Sequence, residues 1–365
     1  MPRTVNNFFV GDFTSNARID SWPNEVFLCV SLSKSRKATK QESQDYAGFS
    51  GSVDSSAISW VNCCVNDAEK ALPKIALHFG FRKEMAHELL AYKTSAYIDM
   101  GGQLGLLLPA VKVRNLRVEI SPIFMLVKGG LILSVHDRRV TRWIRFFNYA
   151  ETFMGKIPAK SSGNDKATII LARLLGKNDE KNFENLRIIE EEGDRINSML
   201  IDNDVSRPRV GKEIYRMKHA LITYLGVLWA SMDVLNSLRN GDSELVSDDH
   251  KLLQEFTDLA NDLTNHISLT EHMSEVLASG LEVLQSIYNN QLQILNNRLS
   301  LIITWLTVLG TAVLVPNTLA TIFGIPSISE HIGWGEVAWI LVASTIISAA
   351  VSYWAVKKIL PKKIE

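Results

Sequence analysis

Six hydroxyl side chains recur along one apolar segment: Ser300, Thr304, Thr307, Thr311, Thr318 and Thr321, at steps of 4, 3, 4, 7 and 3 residues. At about 100° per residue they fall within an arc of roughly 100° on one helix face, with Leu314 at the skipped position. Asn317 is the one polar side chain of the segment off that arc, and upstream Asn290, Gln293 and Asn297 continue the stripe. Neutral oxygens in a row suit a hard cation that keeps most of its water, as magnesium does because it dehydrates reluctantly. A structural reading fits the same residues, since Ser and Thr can bond their own i−4 carbonyls or hold neighbouring helices together. Six of six hydroxyls on one seam favours a wetted face, because lipid gives no reason to align them. One helix encloses nothing, so a wetted face implies a ring of identical helices and hence a homo-oligomer. Leu314 would close such a path by dewetting, and Pro316, lacking an N–H, is expected to loosen the helix near that level.

Titratable groups form weaker patterns. Asp258, Asp262 and His266 stand at i, i+4 and i+8, a shared helix face that offers ligands to a metal or is simply solvated. Glu190, Glu191, Glu192 and Asp194 present the same choice between cation buffering and an acidic surface. Glu330, His331 and Glu336, between two apolar segments, would concentrate cations there. Enzyme signatures are incomplete, and no enzyme is predicted. His87-Glu88 begins a zinc-protease motif, but Ala91 replaces its second histidine. Residues 155–161 lack the second glycine and the Lys-Ser/Thr order of a phosphate loop. Cys29, Cys63 and Cys64 have neither disulfide nor zinc spacing, and the adjacent pair reads as strand residues in a reducing compartment. Lys plus Arg equals Asp plus Glu at 39 each, so no basic footprint for nucleic acid is present.

The stripe requires a membrane helix to carry it. Residues 299–323 and 337–356 contain no charged side chain, and each is long enough to cross a hydrocarbon core of about 30 Å. Trp305, Trp334, Trp339, Tyr353 and Trp354 suit the membrane interfaces. Lys357, Lys358, Lys362 and Lys363 follow the second span, whereas the loop 324–336 has no Lys or Arg. The positive-inside rule therefore puts both termini in the cytosol and the loop outside. Residues 1–7 start no basic segment followed by an apolar run, so no secretory signal is expected.

Upstream of the spans, residues 1–50 read as a polar segment with one strand at 26–32, and 51–165 as a cytosolic α/β domain. Its strands are expected at 57–65, 105–111, 116–127 and 131–135, and its helices at 67–79, 83–90 and 138–154. Asp67 is a candidate N-cap, and Pro73 is expected to break the first helix. A long helical hairpin follows over 166–245, then a stalk helix over 246–298 that feeds the first span; residues 357–365 form a basic tail. A helix of about 75 residues would run about 110 Å. The fold class is an α+β membrane protein: N-terminal α/β domain, long helical stalk and two C-terminal transmembrane helices.

Over residues 288–363 the chain resembles the CorA metal-ion transporter family. The likeness runs through Leu306-Thr307-Val308-Leu309-Gly310-Thr311, Pro316-Asn317-Thr318 and Thr321-Ile322-Phe323-Gly324, then an acidic loop, a second span and a lysine-rich tail. It extends more loosely through Trp60-Val61, Tyr97 and the strands at 118–135. The resemblance implies a homopentamer in the cell membrane that moves a divalent cation (magnesium, cobalt, nickel or zinc). It also implies that acidic residues between cytosolic domains bind the cation as a regulator, with no other cofactor. One signature departs. The family's Gly-Met-Asn, whose asparagines ring the outer mouth and hold the hydrated ion, is here Gly324-Ile325-Pro326. Proline has no side-chain carbonyl, so that ring cannot be built at 326; Thr321 or backbone carbonyls near Gly324 are the substitutes. The alternative function is a membrane-anchored oligomeric sensor or scaffold, which needs no hydroxyl stripe.

Overall fold

The computed structural model describes residues 25–35, 37–201, 206–240, 243–325 and 332–359. Expectations for Pro326, Glu330, His331 and the lysines at 362 and 363 lie outside these residues. The chain divides into two compact units, Met1–Leu281 and Glu282–Glu365.

The first unit is built on a mixed sheet. Its strands are β1 (Val26–Ser33), β2 (Ala38–Ser43), β3 (Ser56–Val65), β4 (Ala96–Asp99), β5 (Gln103–Arg114), β6 (Arg117–Lys128) and β7 (Leu131–Asp137). Among the described residues the order is β2-β1-β3-β7-β6-β5-β4, with β3 and β7 parallel and every other pair antiparallel. Helices cover both faces. Odd-numbered Val61, Cys63 and Val65 join a core with α2 (Ala68–His78) and α3 (Lys83–Ala91). On the other face Trp60 and His136 meet Phe146 and Trp143 of α4 (Arg142–Gly155). Cover on both sides explains why β3, β5 and β7 are buried along most of their length without alternation.

Several expectations change here. β1 and β2 belong to the sheet, which therefore begins at Val26 and not after residue 50. β2 (sequence ATKQES) is a largely exposed edge strand with no apolar period to reveal it. Leu116 is not in a strand: Asn115 and Leu116, both at positive φ, form the two-residue turn joining β5 to β6. Helix α2 passes unbroken through Pro73, capped as expected by Asp67, whose carboxylate accepts from Lys70 N at 3.1 Å. Gly105 has a clear cause, since a Cβ there would meet Met85 Sδ of α3 at 2.4 Å. All three cysteines are buried strand residues, and burial pushes the thiols of Cys29 and Cys64 up to about 11 and about 12.

His136 is fully buried beside Asn62 and Ser134. Its Nδ1 donates to the Asp137 carbonyl at 2.9 Å, because a carbonyl only accepts. Burial lowers its pKa from 6.5 to about 4. The fold thus holds the neutral ring. The associated stability is complete above pH 6.5 and is lost as pH falls from 6.5 toward 4. Unfolding titrations should show about 2 kcal/mol lost from this residue at pH 5 relative to pH 7. His136→Gln should remove that component of the slope; an unchanged slope would mean the imidazole does not titrate on unfolding.

Among the described residues the outer edge of β5 has no strand partner beyond Leu107, because β4 pairs only with Leu104–Leu107. Asparagines of α5 (Gly163–Ile201) take that place. Val111 N and Val113 N donate to Asn182 Oδ1 and Asn185 Oδ1 at 3.2 and 3.0 Å, and Asn178 Nδ2 donates to Pro109 O at 3.2 Å. The steps of 4 and 3 put all three amides on one helix face. Arg142 spans the set, donating from Nη1 to Asn178 and Asn182 and from Nη2 to Val111 O. Helix α6 (Arg207–Arg239) returns antiparallel to α5, with Tyr224 Oη donating to Asn182 O at 2.6 Å.

Helix α7 (His250–Phe323) spans the unit boundary, and α8 (Trp334–Ile359) lies in the second unit. Helical geometry continues through Pro316. α8 begins at Trp334, so Glu336 is a first-turn helical residue and not part of a loop. A carboxylate there also stabilises the helix N-terminus.

Candidate membrane pathway

The charge-free end of α7 and the whole of α8 expose what a soluble protein buries. The most apolar stretches of these helices are 6% and 0% buried. α6 is a third helix long and apolar enough to cross a membrane, but 56% of its apolar stretch is buried, with residues such as Leu221, Val227 and Leu228 inside the first unit. Trp305, Trp334, Trp339, Tyr353 and Trp354 are all more than half exposed, and Lys358 Nζ sits 5.3 Å above the Trp354 ring. That is the arrangement of an interfacial aromatic with a basic neighbour.

Four threonines of the stripe donate to carbonyls one turn back: Thr307 to Ile303, Thr311 to Thr307, Thr318 to Leu314 and Thr321 to Asn317, at 2.8–3.0 Å. This is the local bonding that the structural reading foresees. It has a chemical consequence as well. A hydroxyl whose hydrogen is committed to the helix presents only oxygen lone pairs outward, so it accepts from water or faces a cation and does not donate.

The stripe divides into two parts. Ser300, Thr307, Leu314, Thr318 and Thr321 are exposed, as are Asn290, Gln293 and Asn297, while Thr304 and Thr311 are half-buried. Thr311 Oγ1 lies 2.6 Å from Ser352 Oγ of α8. On α8, Ser348 and Ser344 are half-buried like Ser352, one and two turns away from it. Small residues four apart are a sequence signal of helix–helix packing, which the hydroxyl pattern of α7 alone does not carry. At the upstream end a cleft of about 450 Å³ is lined by Ser300, Thr304 and Thr307 with Asn296, Leu299, Ile303 and Val356. Downstream, Gly324 N closes the last turn on Ala320 O at 2.9 Å, and Ile325 is exposed.

The stalk residues are not brought together as a metal centre. Asp258 and Asp262 are exposed, whereas His266 turns onto α5. Its ring stacks on Phe183 at 4.2 Å, and its Nδ1 lies 3.6 Å from Asp179 Oδ1. Phe183 and Asp179, which had no motif to flag them, set that orientation. Among the described residues no group of three or more His, Cys, Asp or Glu is placed to hold a metal. Glu190, Glu191 and Asp194 lie exposed on α5, and Glu192 pairs with Arg195 at 2.7 Å.

Among solved structures, the fold is similar to the complete CorA magnesium transporter of Methanocaldococcus jannaschii. The TM-score is 0.63 at 16% identity, covering 90% of this chain and 96% of that one. Full-length CmaX matches with a TM-score of 0.59 at 15% identity, over 92% and 98% of the two chains. The ZntB cytoplasmic domain of Vibrio parahaemolyticus matches with a TM-score of 0.54 at 14% identity, over 73% of this chain and all of that one. No curated relative matches by sequence. The sequence itself matches the family described as CorA-like Mg2+ transporter protein over residues 55–358, and with most of its length so matched the chain belongs to that family.

Proposed function

We propose that this chain carries divalent cations across the cell membrane through a pore that five copies of α7 line with their hydroxyl stripes. The observation that carries this is the stripe itself. On an exposed, charge-free span, threonines tie their hydrogens back to the helix and leave oxygen outward. Asn290, Gln293 and Asn297 extend the lining on the cytosolic side, and Leu314 is its dry interruption. Membership of a transporter family assigns transport and not catalysis. A membrane potential of 100 mV contributes about 2.3 kcal/mol per charge, and so about twice that for a divalent ion, which makes ATP unnecessary. One observation favours the scaffold reading: Thr311, at the heart of the stripe, has its Oγ1 against Ser352 Oγ of α8.

Two helices cross, α7 and α8, because more than half of the apolar stretch of α6 is already buried in the first unit. Both termini are then cytosolic. A cysteine at His331→Cys should react with an impermeant reagent added outside sealed cells, and one at Ile364→Cys should not. Labelling at 364 would contradict the orientation.

Selectivity follows from the signature. Without an asparagine at 326, discrimination by outer-shell contact with a hydrated ion is weak. Threonine hydroxyls and backbone carbonyls accept hard cations but choose poorly among them. Block by cobalt hexaammine, a mimic of hydrated magnesium, should be weaker than in relatives with Gly-Met-Asn. Ile325→Met with Pro326→Asn should strengthen it in protein that keeps its oligomeric mass. Tight block of the wild type would show that another group replaces the ring.

A further inference from the structure

We propose that the exposed face of α6 in one copy of this chain binds the acidic face of α5 in the next, joining neighbours side by side around the ring. The inference rests on the oligomeric pore proposed above. Tyr215, Ile222 and Trp229 lie seven residues apart on α6 and are 70%, 58% and 50% exposed. Three large apolar side chains thus recur every two turns on one face of a helix that packs another face on the sheet. That face adjoins a charge run. Residues 206–219 hold five Lys and Arg against Glu213 alone, a net of +4.

The complementary surface is on α5. Residues 184–198 hold five carboxylates against two arginines, a net of −3. Glu184, Glu190, Glu191 and Asp194 are exposed, and within this run Ile188, 38% exposed, is the large apolar side chain on the outside. Within one chain the two runs lie level, with a Cβ at Gly193 2.6 Å from Met217 Cε. Each hairpin is therefore basic along one helix and acidic along the other. Such a unit fits a head-to-tail contact, in which two different patches meet and the ring closes; α6 facing α6 would oppose like charges. Antiparallel pairing that opposes the carboxylates at 190–194 to the cations at 209–218 sets Ile188 beside Lys218, between Tyr215 and Ile222.

The test uses full-length protein co-expressed in two differently tagged forms, one carrying Glu191→Cys and the other Tyr215→Cys. Mild oxidation with copper phenanthroline should link the two forms to each other and link neither form to itself. Lys212→Glu with Lys218→Glu in the second form should lower the yield about tenfold. Glu190→Lys with Asp194→Lys in the first form should then restore it, which a folding defect would not allow. Protein that never assembles beyond a monomer would remove the proposed pore along with this contact. A ring of wild-type mass without mixed cross-links would overturn this interface alone, as would linkage of each form to itself. Loss of cross-linking in phosphatidylserine but not phosphatidylcholine vesicles, with Tyr215→Cys shielded from maleimide only in the former, would assign the face to anionic lipid and overturn the proposal.

Discussion

Leu314→Ser should raise resting cation flux at least about tenfold, since about 1.4 kcal/mol off a barrier suffices for that and a fully exchanged leucine carries about 2 kcal/mol of apolar character per subunit. Leu314 stands between Thr311 and Thr318 on the stripe and is 64% exposed in the single chain, so nothing in its own hairpin covers it. In a ring, such leucines face one another and exclude water. Serine there completes the run of hydroxyls. Because the site is exposed in the subunit, the substitution leaves no cavity within it, and the protein should keep its fold and mass. Reconstituted Leu314→Ser that conducts no faster than wild type while remaining assembled would remove this residue as the constriction.

The second large effect concerns the sheet edge. Asn182→Leu should destabilise the first unit by about 3 kcal/mol, because a buried N–H and a guanidinium each lose an acceptor. Asn182 Oδ1 accepts from Val111 N at 3.2 Å and from Arg142 Nη1 at 2.7 Å. Burial pulls Arg142 down to about 10, still far above neutrality, so the charge stays and must be satisfied by these oxygens. Leucine has nearly the right volume, which separates lost hydrogen bonding from lost packing. Chemical denaturation should register the loss, and amide exchange at Val111 should accelerate. An unchanged midpoint would mean that water reaches this edge and takes the place of the amide.

What the sequence made legible follows from where each signal resides. A charge-free run of membrane length is a local property, so both helices of the second unit were evident from composition. The strands β3, β5 and β7 were evident for a similar reason, being runs buried on both faces, and β6 was evident from its buried Ile123–Val127 run. β2 was not, because an exposed edge strand is held by backbone pairing to β1, and its side chains ATKQES record nothing of that. Pro73 misled because it sits past the first turn of an 11-residue helix whose Leu72, Ile75 and Ala76 pack into the core; that burial outweighs one missing hydrogen bond. At the candidate site, helical spacing puts the hydroxyls on one azimuth of α7. It did not separate Thr311, which bonds α8, from Thr318 and Thr321, which are exposed. Helix periodicity fixes an azimuth, and only the partner helix determines which part of it is covered. His266 shows the same limit, since spacing put it with Asp262 while Phe183 and Asp179 across the interface drew it away.

The chain as proposed passes divalent cations down their electrochemical gradient. Purified wild-type protein in liposomes loaded with a metal-sensitive dye, under a potassium diffusion potential negative inside, tests this directly. Magnesium, cobalt, nickel and zinc are supplied outside in turn. The predicted result is dye-reported entry of one or more of these ions that grows with the applied potential and vanishes when the potential is collapsed against equal ion concentrations. Assembled protein whose liposomes admit none of the four ions faster than protein-free liposomes would contradict the claim and leave α7 and α8 as an anchor.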